Sequence, residues 1–370
     1  MAPDALLLTP GPLTTSQATR RSMLRDWGSR DHDFIALTDR VRRRLKDIVE
    51  PGRGVKTCVL LQGSGTFAVE AALQTLVPRD GRLLILVNGA YGRRMAEICA
   101  IIGRSHGVLE WPEDQPVDPV RVTEELKRDP SITDVAVVHV ETTSGLLNPL
   151  SDIAAVVAAA GRRLHIDAMS SFGAVEVAAG EVSFTSLMAS SNKCLEGVPG
   201  IGFVIADVAA LERARGNAGS LVLDLEAQWR GFEHTGQWRF TPPTHVLAAL
   251  DSALDQFDAE GGVVGRFARY GENCRLLREG MVGLGFSPYL EAHLQVPIIL
   301  TFRIPDGGWF RFDTFYRALN ERGIVIYPGK LTAADSFRIG CIGAIGAGDI
   351  RRALTAIGEV TRAMGGSQTP

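Results

Sequence analysis

Lys193 stands in the run Ser190-Ser191-Asn192-Lys193-Cys194-Leu195-Glu196-Gly197-Val198-Pro199-Gly200, a small, weakly polar loop placed just before the apolar stretch Ile201–Ala206. A second apolar run, Leu164-His165-Ile166, ends on the carboxylate of Asp167. An amine withdrawn from bulk water is a nucleophile toward carbonyls, and an acid at a strand's end can hold a ring nitrogen protonated. These are the two groups that a pyridoxal phosphate cofactor needs. Taken singly, a lysine is most often a surface residue and a strand-end aspartate a helix cap. A third feature makes the pair meaningful. Gln62-Gly63-Ser64-Gly65-Thr66-Phe67-Ala68 lies between an apolar strand and a helical pattern. Its glycines let the backbone approach an anion, Ser64 and Thr66 offer hydroxyls, and the helix start offers unpaired N–H groups, so a phosphate site is expected.

The same loop also fits the G-x-G-x-x-A dinucleotide fingerprint, which makes an NAD-type oxidoreductase the rival reading. That fingerprint expects an acid at the end of the next strand to hold a ribose. The next strand, Leu83–Val87, runs instead into Asn88-Gly89-Ala90-Tyr91, and the rival leaves Lys193 and Asp167 without a task. The loop is better read as holding one phosphate than two. Tyr91, flanked by small residues, is placed to stack on a flat ring.

These residues need a scaffold that carries strand ends to one edge. From Thr57 onward, apolar runs at 57–61, 83–87, 135–139, 164–166 and 202–205 alternate with helical patterns near 68–73, 93–102 and 153–160. Continuous apolar strands joined by helices imply an α/β fold with a mostly parallel sheet covered on both faces, which binds ligands beyond the strands' carboxyl ends. The pattern changes near Phe240-Thr241-Pro242-Pro243. A long helical stretch at 245–284, broken at Gly261-Gly262, precedes strand-like runs at 296–302, 323–327 and 337–340 and a last helix. The expected organisation is an N-terminal segment at 1–14, a large domain at 15–244, a smaller C-terminal α+β domain at 245–366 and a tail at 367–370. Arg25–Phe34, with mixed charges and Trp27, reads as a solvated loop.

Bulk composition narrows the function. With 370 residues, 45% hydrophobic, 22% charged and a net charge of −3, neither nucleic acid nor an anionic membrane is indicated as a partner. Before Thr9-Pro10-Gly11-Pro12 only Ala5–Leu8 is apolar, and no run approaches the roughly 20 residues of a spanning helix, so a cytoplasmic protein is expected. The five scattered cysteines show no metal-ligand spacing, and no metal is expected.

Together these motifs resemble the fold-type I, class V family of pyridoxal-phosphate aminotransferases. The resemblance runs nearly end to end, through Leu6–Thr15, Gly63–Thr66, Asn88–Gly92, Glu141–Gly145, Asp167–Gly173, Ser190–Cys194, Gly197–Gly200, Ala227–Arg230, Trp238–Thr241, Val325–Lys330 and Phe337–Gly340. The Asp167–Gly173, Ala227–Arg230 and Ile326–Lys330 segments are similar to the phosphonate branch of that family. The resemblance implies 2-aminoethylphosphonate as amine donor and pyruvate as acceptor, in a ping-pong transamination. It implies that Lys193 carries the cofactor and shuttles a proton, and that Asp167 pairs with the pyridine nitrogen. Ser64, Gly65 and Thr66 would hold the cofactor phosphate, Tyr91 would stack on the ring and Thr142 would sit beside the phenolic oxygen. Trp238 and Thr241 would reach the phosphate from a neighbouring subunit, so a homodimer with active sites at the subunit interface is implied. Arg338 would bind the substrate anion, since a planar fork suits phosphonate and carboxylate alike. The alternative within the fold is an alanine–glyoxylate or serine–pyruvate type aminotransferase. A desulfurase is disfavoured, because Cys341 and Cys194 read as buried packing rather than a mobile catalytic thiol.

Overall fold

The computed structural model describes residues 4–366; positions 1–3 of the expected N-terminal segment and the expected tail at 367–370 lie outside them. The centre is a seven-stranded sheet in the order Lys56–Gln62, Ile201–Asp207, Ser186–Ser190, Arg163–Asp167, Ile132–Val138, Arg82–Val87 and His106–Glu110. Six strands run one way. Ile201–Asp207 runs against both of its neighbours, pairing Phe203 with Leu60 on one side and with Ala189 on the other.

The interior strands are built from β-branched and leucine side chains buried on both faces, as in Leu83–Val87 and Val135–Val138. Helices Gly65–Leu76, Ala90–Ile101 and Leu150–Ala159 follow the strand ends, each longer by a few residues than its apolar core. The helix His32–Asp47 covers the sheet with Phe34, Leu37, Val41 and Leu45. The solvated loop expected at Arg25–Phe34 therefore ends early: the helix starts at His32, and Phe34 is buried because it opens this apolar stripe.

A second core gathers Phe286, Phe302, Phe315 and Phe337 with Leu277, Ile350 and Ile357. Phe337 stacks on Phe302 and meets the ring of Phe286 edge-on, an arrangement that aromatic quadrupoles favour. It lies under the antiparallel strands Ile299–Arg303, Ser336–Gly340 and Tyr327–Pro328 and the helix Ala347–Ala363. The single strand expected at 323–327 is split. Ile324–Val325 pairs in parallel with Leu6–Leu7, whereas Tyr327–Pro328 pairs with Phe337 and Arg338. The start of the chain is thus stitched to the second core, where Leu6 and Leu8 are buried.

The long helical stretch breaks where expected, with Gly261 and Gly262 both at positive φ between Thr244–Ala259 and Gly262–Gly283. The first of these helices buries Leu247, Leu250 and Leu254 in the core of the large sheet, although it follows the boundary expected at 244/245. Its apolar face decides where it packs. Among the described residues no helix is long and apolar enough to cross a membrane, and no group of three or more His, Cys, Asp or Glu side chains is placed to hold a metal.

Candidate active site

The carboxyl ends of the co-directional strands converge on one cavity, lined by Ser64, Gly65, Thr66, Tyr91, Thr142, Asp167 and Lys193 together with Arg94, Met169, Ser170 and Asn192. Each arrives from the end of a different strand. Ser64 follows Gln62, Tyr91 follows Val87, Thr142 follows Val138, Asp167 closes its own strand, and Lys193 follows Ser190.

The helix Gly65–Leu76 opens straight into the cavity. Ser64 precedes it in extended conformation and makes no side-chain cap, and the Phe67 amide turns back to the Ser64 carbonyl, so the Ser64 hydroxyl and the Gly65 and Thr66 N–H groups face the cavity uncommitted. Gly65 packs against Met169, where a Cβ would approach the sulfur to 2.4 Å.

Asp167 is buried and accepts one hydrogen bond, from the Met169 amide at 2.9 Å. Desolvation pushes its carboxyl up to about 6 while the Lys193 amine pulls it down. Among the described residues it has no ion-pair partner, so its buried charge lacks a counter-ion inside hydrogen-bond reach. Lys193 is half-buried, and desolvation pushes its amine down to about 8 against the opposing pull of Asp167. A large fraction is therefore neutral, and nucleophilic, in mildly alkaline solution.

The lysine loop is held from below. Its base is closed by Ser191 N–H to Ile201 O at 3.0 Å and Gly197 N–H to Ser191 O at 2.9 Å. Glu196, in the left-handed region at φ 60°, accepts hydrogen bonds from Tyr270 and Arg269, and Arg266 donates to the Cys194 carbonyl. Gly11, at φ 110°, lies against the lysine stem; a Cβ there would come within 2.9 Å of Lys193 Cδ.

Tyr91 is set by Glu141, a residue that sequence reasoning passed over as part of a segment. The helix Ala90–Ile101 has no cap of its own at Gly89. The buried Glu141 carboxylate supplies one from across the fold, accepting from the Tyr91 amide at 3.3 Å and from the Thr143 amide and hydroxyl. Glycine at 89 leaves the space that Glu141 occupies, since a Cβ would overlap it at 2.3 Å. Arg94 and Lys330 were also missed. Arg94 lies one helical turn after Tyr91, with its guanidinium 4.9 Å from the ring centroid, and its i+3 spacing was the available signal.

Thr142 is buried and shares a hydrogen bond with Ser170. Arg338 is outside the cavity lining but joined to it, donating to the Thr142 carbonyl at 3.1 Å and to the Pro328 carbonyl at 3.0 Å. Trp238 and Thr241 are not brought in. They line a separate hollow with Phe67, Val222 and Phe240, and Trp238 donates its indole N–H to Thr38 at 3.2 Å. Cys194 and Cys341 are buried, and burial raises both thiols, Cys194 to about 12, which leaves neither poised as a nucleophile.

Residues 17–340 match the aminotransferase class-V family. This chain belongs to it. The aminotransferase is 54% identical to 2-aminoethylphosphonate–pyruvate transaminase 2 of Burkholderia lata, over 99% of this chain and 97% of that one. It is also 54% identical to the 2-aminoethylphosphonate–pyruvate transaminase of Pseudomonas aeruginosa, over 96% of each. Among solved structures, a pyridoxamine–pyruvate aminotransferase from Mesorhizobium loti superposes with a TM-score of 0.88 at 27% identity, over 98% of this chain and 93% of that one. Family membership removes the oxidoreductase reading.

Proposed function

We propose that this aminotransferase uses pyridoxal phosphate to move the amine of 2-aminoethylphosphonate to pyruvate, giving phosphonoacetaldehyde and L-alanine. The full-length identity to transaminases named for these two substrates carries the substrate assignment. The cavity fits the cofactor on its own evidence. A buried carboxylate without a counter-ion suits a protonated ring nitrogen, an uncapped helix start suits a phosphate, and a half-buried lysine lines the same cavity. When bound, pyridoxal phosphate supplies an electron sink that makes the donor's amine-bearing carbon acidic. Asp167 keeps the ring nitrogen protonated. Lys193 attaches the cofactor, and its neutral amine then takes and returns the proton at the reacting carbon. Ser64, Gly65 and Thr66 would hold the phosphate, Tyr91 would stack on the ring, and Thr142, hydrogen-bonded to Ser170, would contact its phenolic oxygen. Arg338 binds the phosphonate of the donor and, in the second half-reaction, the carboxylate of the acceptor.

The protein also works as a homodimer in this reading. Trp238 and Thr241 lie on a flank where Phe67, Val222 and Phe240 are each about half exposed, an apolar surface that a second copy would cover. A dimer would deliver these two residues to the phosphate of the partner's cavity. Phe240→Glu is expected to convert a dimer to a monomer in sedimentation velocity and to weaken cofactor retention on gel filtration. A dimer that persists with full cofactor would exclude this flank as the interface.

The function is tested by visible absorbance. Adding 2-aminoethylphosphonate without a keto acid is expected to bleach the yellow protein, and pyruvate to restore the colour. A yellow protein that ignores the phosphonate but bleaches with alanine or serine would move the assignment to the alanine–glyoxylate or serine–pyruvate type.

A further inference from the structure

Three cations surround Tyr91 with no matching anion. Lys330 places its amine 4.4 Å from the ring centroid, Arg94 places its guanidinium 4.9 Å away, and Arg338 lies within electrostatic reach of the same ring. Among the described residues, none of the three has a carboxylate within ion-pair distance. The acid that acts on Lys330 and Arg338, Glu141, is buried, is raised from its usual value by desolvation, and has its oxygens engaged by Tyr91 and Thr143. It is a poor counter-ion. Burial and the two arginines push the Lys330 amine below its usual value, so the cluster repels itself in the free protein. Such crowding is relieved when a ligand brings more than one negative charge.

The three cations are not equivalent. Arg94 leans toward the phosphate loop, 3.5 Å from the Thr66 hydroxyl. Arg338 is tied to the carbonyls of Thr142 and Pro328, which leaves only part of its fork for a ligand. Lys330 keeps its ammonium free, while its backbone is held. Gly329 donates to Ser336 O at 2.9 Å, and a side chain at 329 would collide with Ser336; two residues beyond Lys330, Thr332 donates to Glu113 at 2.9 Å. The loop thus fixes where the amine can reach.

The geometry points to Lys330 as the residue that distinguishes a phosphonate donor from a carboxylate acceptor. A carboxylate carries one charge, which Arg338 neutralises. A phosphonate, like a phosphate ester, carries more than one at neutral pH and has a third oxygen to be bonded. Lys330 provides the second cation for it. This rests on the substrate reading proposed above.

The test measures KM in each half-reaction with holoenzyme. Lys330→Gln is expected to raise KM for 2-aminoethylphosphonate by about ten- to a hundred-fold, the usual effect of losing a charged hydrogen bond. KM for pyruvate should change by less than about three-fold. Lys330→Arg, which keeps the charge, should restore the phosphonate KM to within a few-fold of wild type. As dead-end competitors, methylphosphonate should lose affinity for the glutamine variant while acetate does not. Arg338→Ala, by contrast, should raise KM for both substrates. Equal shifts for both substrates in Lys330→Gln, or no shift, would overturn the inference while the substrate reading stands. A wild-type protein that does not release amine from 2-aminoethylphosphonate would remove the substrate reading, and this inference with it.

Discussion

Lys193→Ala yields a protein that binds pyridoxal phosphate without a covalent link and turns over about 10⁴-fold more slowly or worse. Two functions are lost together. The amine attaches the cofactor, and it also moves the proton at the reacting carbon, a role that by itself contributes about 10² to 10⁴ in rate. No neighbour can replace it. Lys330 is across Tyr91 on another loop, and Cys194 is buried with its thiol pushed up to about 12. Borohydride reduction followed by peptide mass analysis should place the adduct on Lys193 in the wild type and find none in the variant. Turnover within ten-fold of wild type would end the assignment. Because desolvation brings the cofactor-free amine down to about 8, reconstitution with pyridoxal phosphate should quicken as pH rises from 6.5 toward 8, where the neutral nucleophile accumulates.

Asp167→Asn moves activity and stability in opposite directions. Without the carboxylate the ring nitrogen loses its charged partner, and removing one member of a buried pair costs about 3–5 kcal/mol. The expected fall in kcat is therefore about 10² to 10⁴-fold. In the cofactor-free protein the sign reverses. The Asp167 carboxyl, ordinarily near 3.8, is raised to about 6 in the fold. An acid with a raised folded pKa contributes its full stability below the unfolded value and loses it as pH climbs through the folded one. At pH 7.5 wild-type apoprotein therefore carries a penalty of about 3 kcal/mol that asparagine avoids. Apo Asp167→Asn should melt several degrees above wild type at pH 7.5, and the gap should close below about pH 4. A variant that melts lower at pH 7.5 would show that the carboxylate is already compensated in the fold.

Much of this site was legible because its chemistry sits at strand ends. Lys193, Asp167 and the Gly63–Thr66 loop each follow an apolar run, and the rule that parallel sheets bind at their carboxyl edge brings them together before any coordinates exist. Edge and direction were harder to read. His106–Glu110 is the outer strand and half exposed, so it offers no continuous apolar run; Ser186–Ser190 is bracketed by serines. The reversed strand Ile201–Asp207 has the composition of its parallel neighbours, yet its direction was readable from the connection. Residues 191–200 are too few for a crossover helix, and a short link between neighbouring strands enforces antiparallel pairing. Lys330 and Arg94 were missed because cations in a sequence look like surface until the fold shows what they face. Trp238 and Thr241 lie outside the cavity of their own chain, because a resemblance between sequence segments carries no statement of which face a residue occupies.

That short connection has a consequence for how the enzyme ages. The loop bearing Lys193 is closed at its base by two strands deep in the central sheet, so it has no independent hinge by which to fray. The Ser191 and Gly197 amides that close it should exchange with solvent only in the slow classes that require the sheet to open. The nucleophile then keeps its place for as long as the sheet persists, and heat should remove the bound chromophore and the secondary structure in a single step.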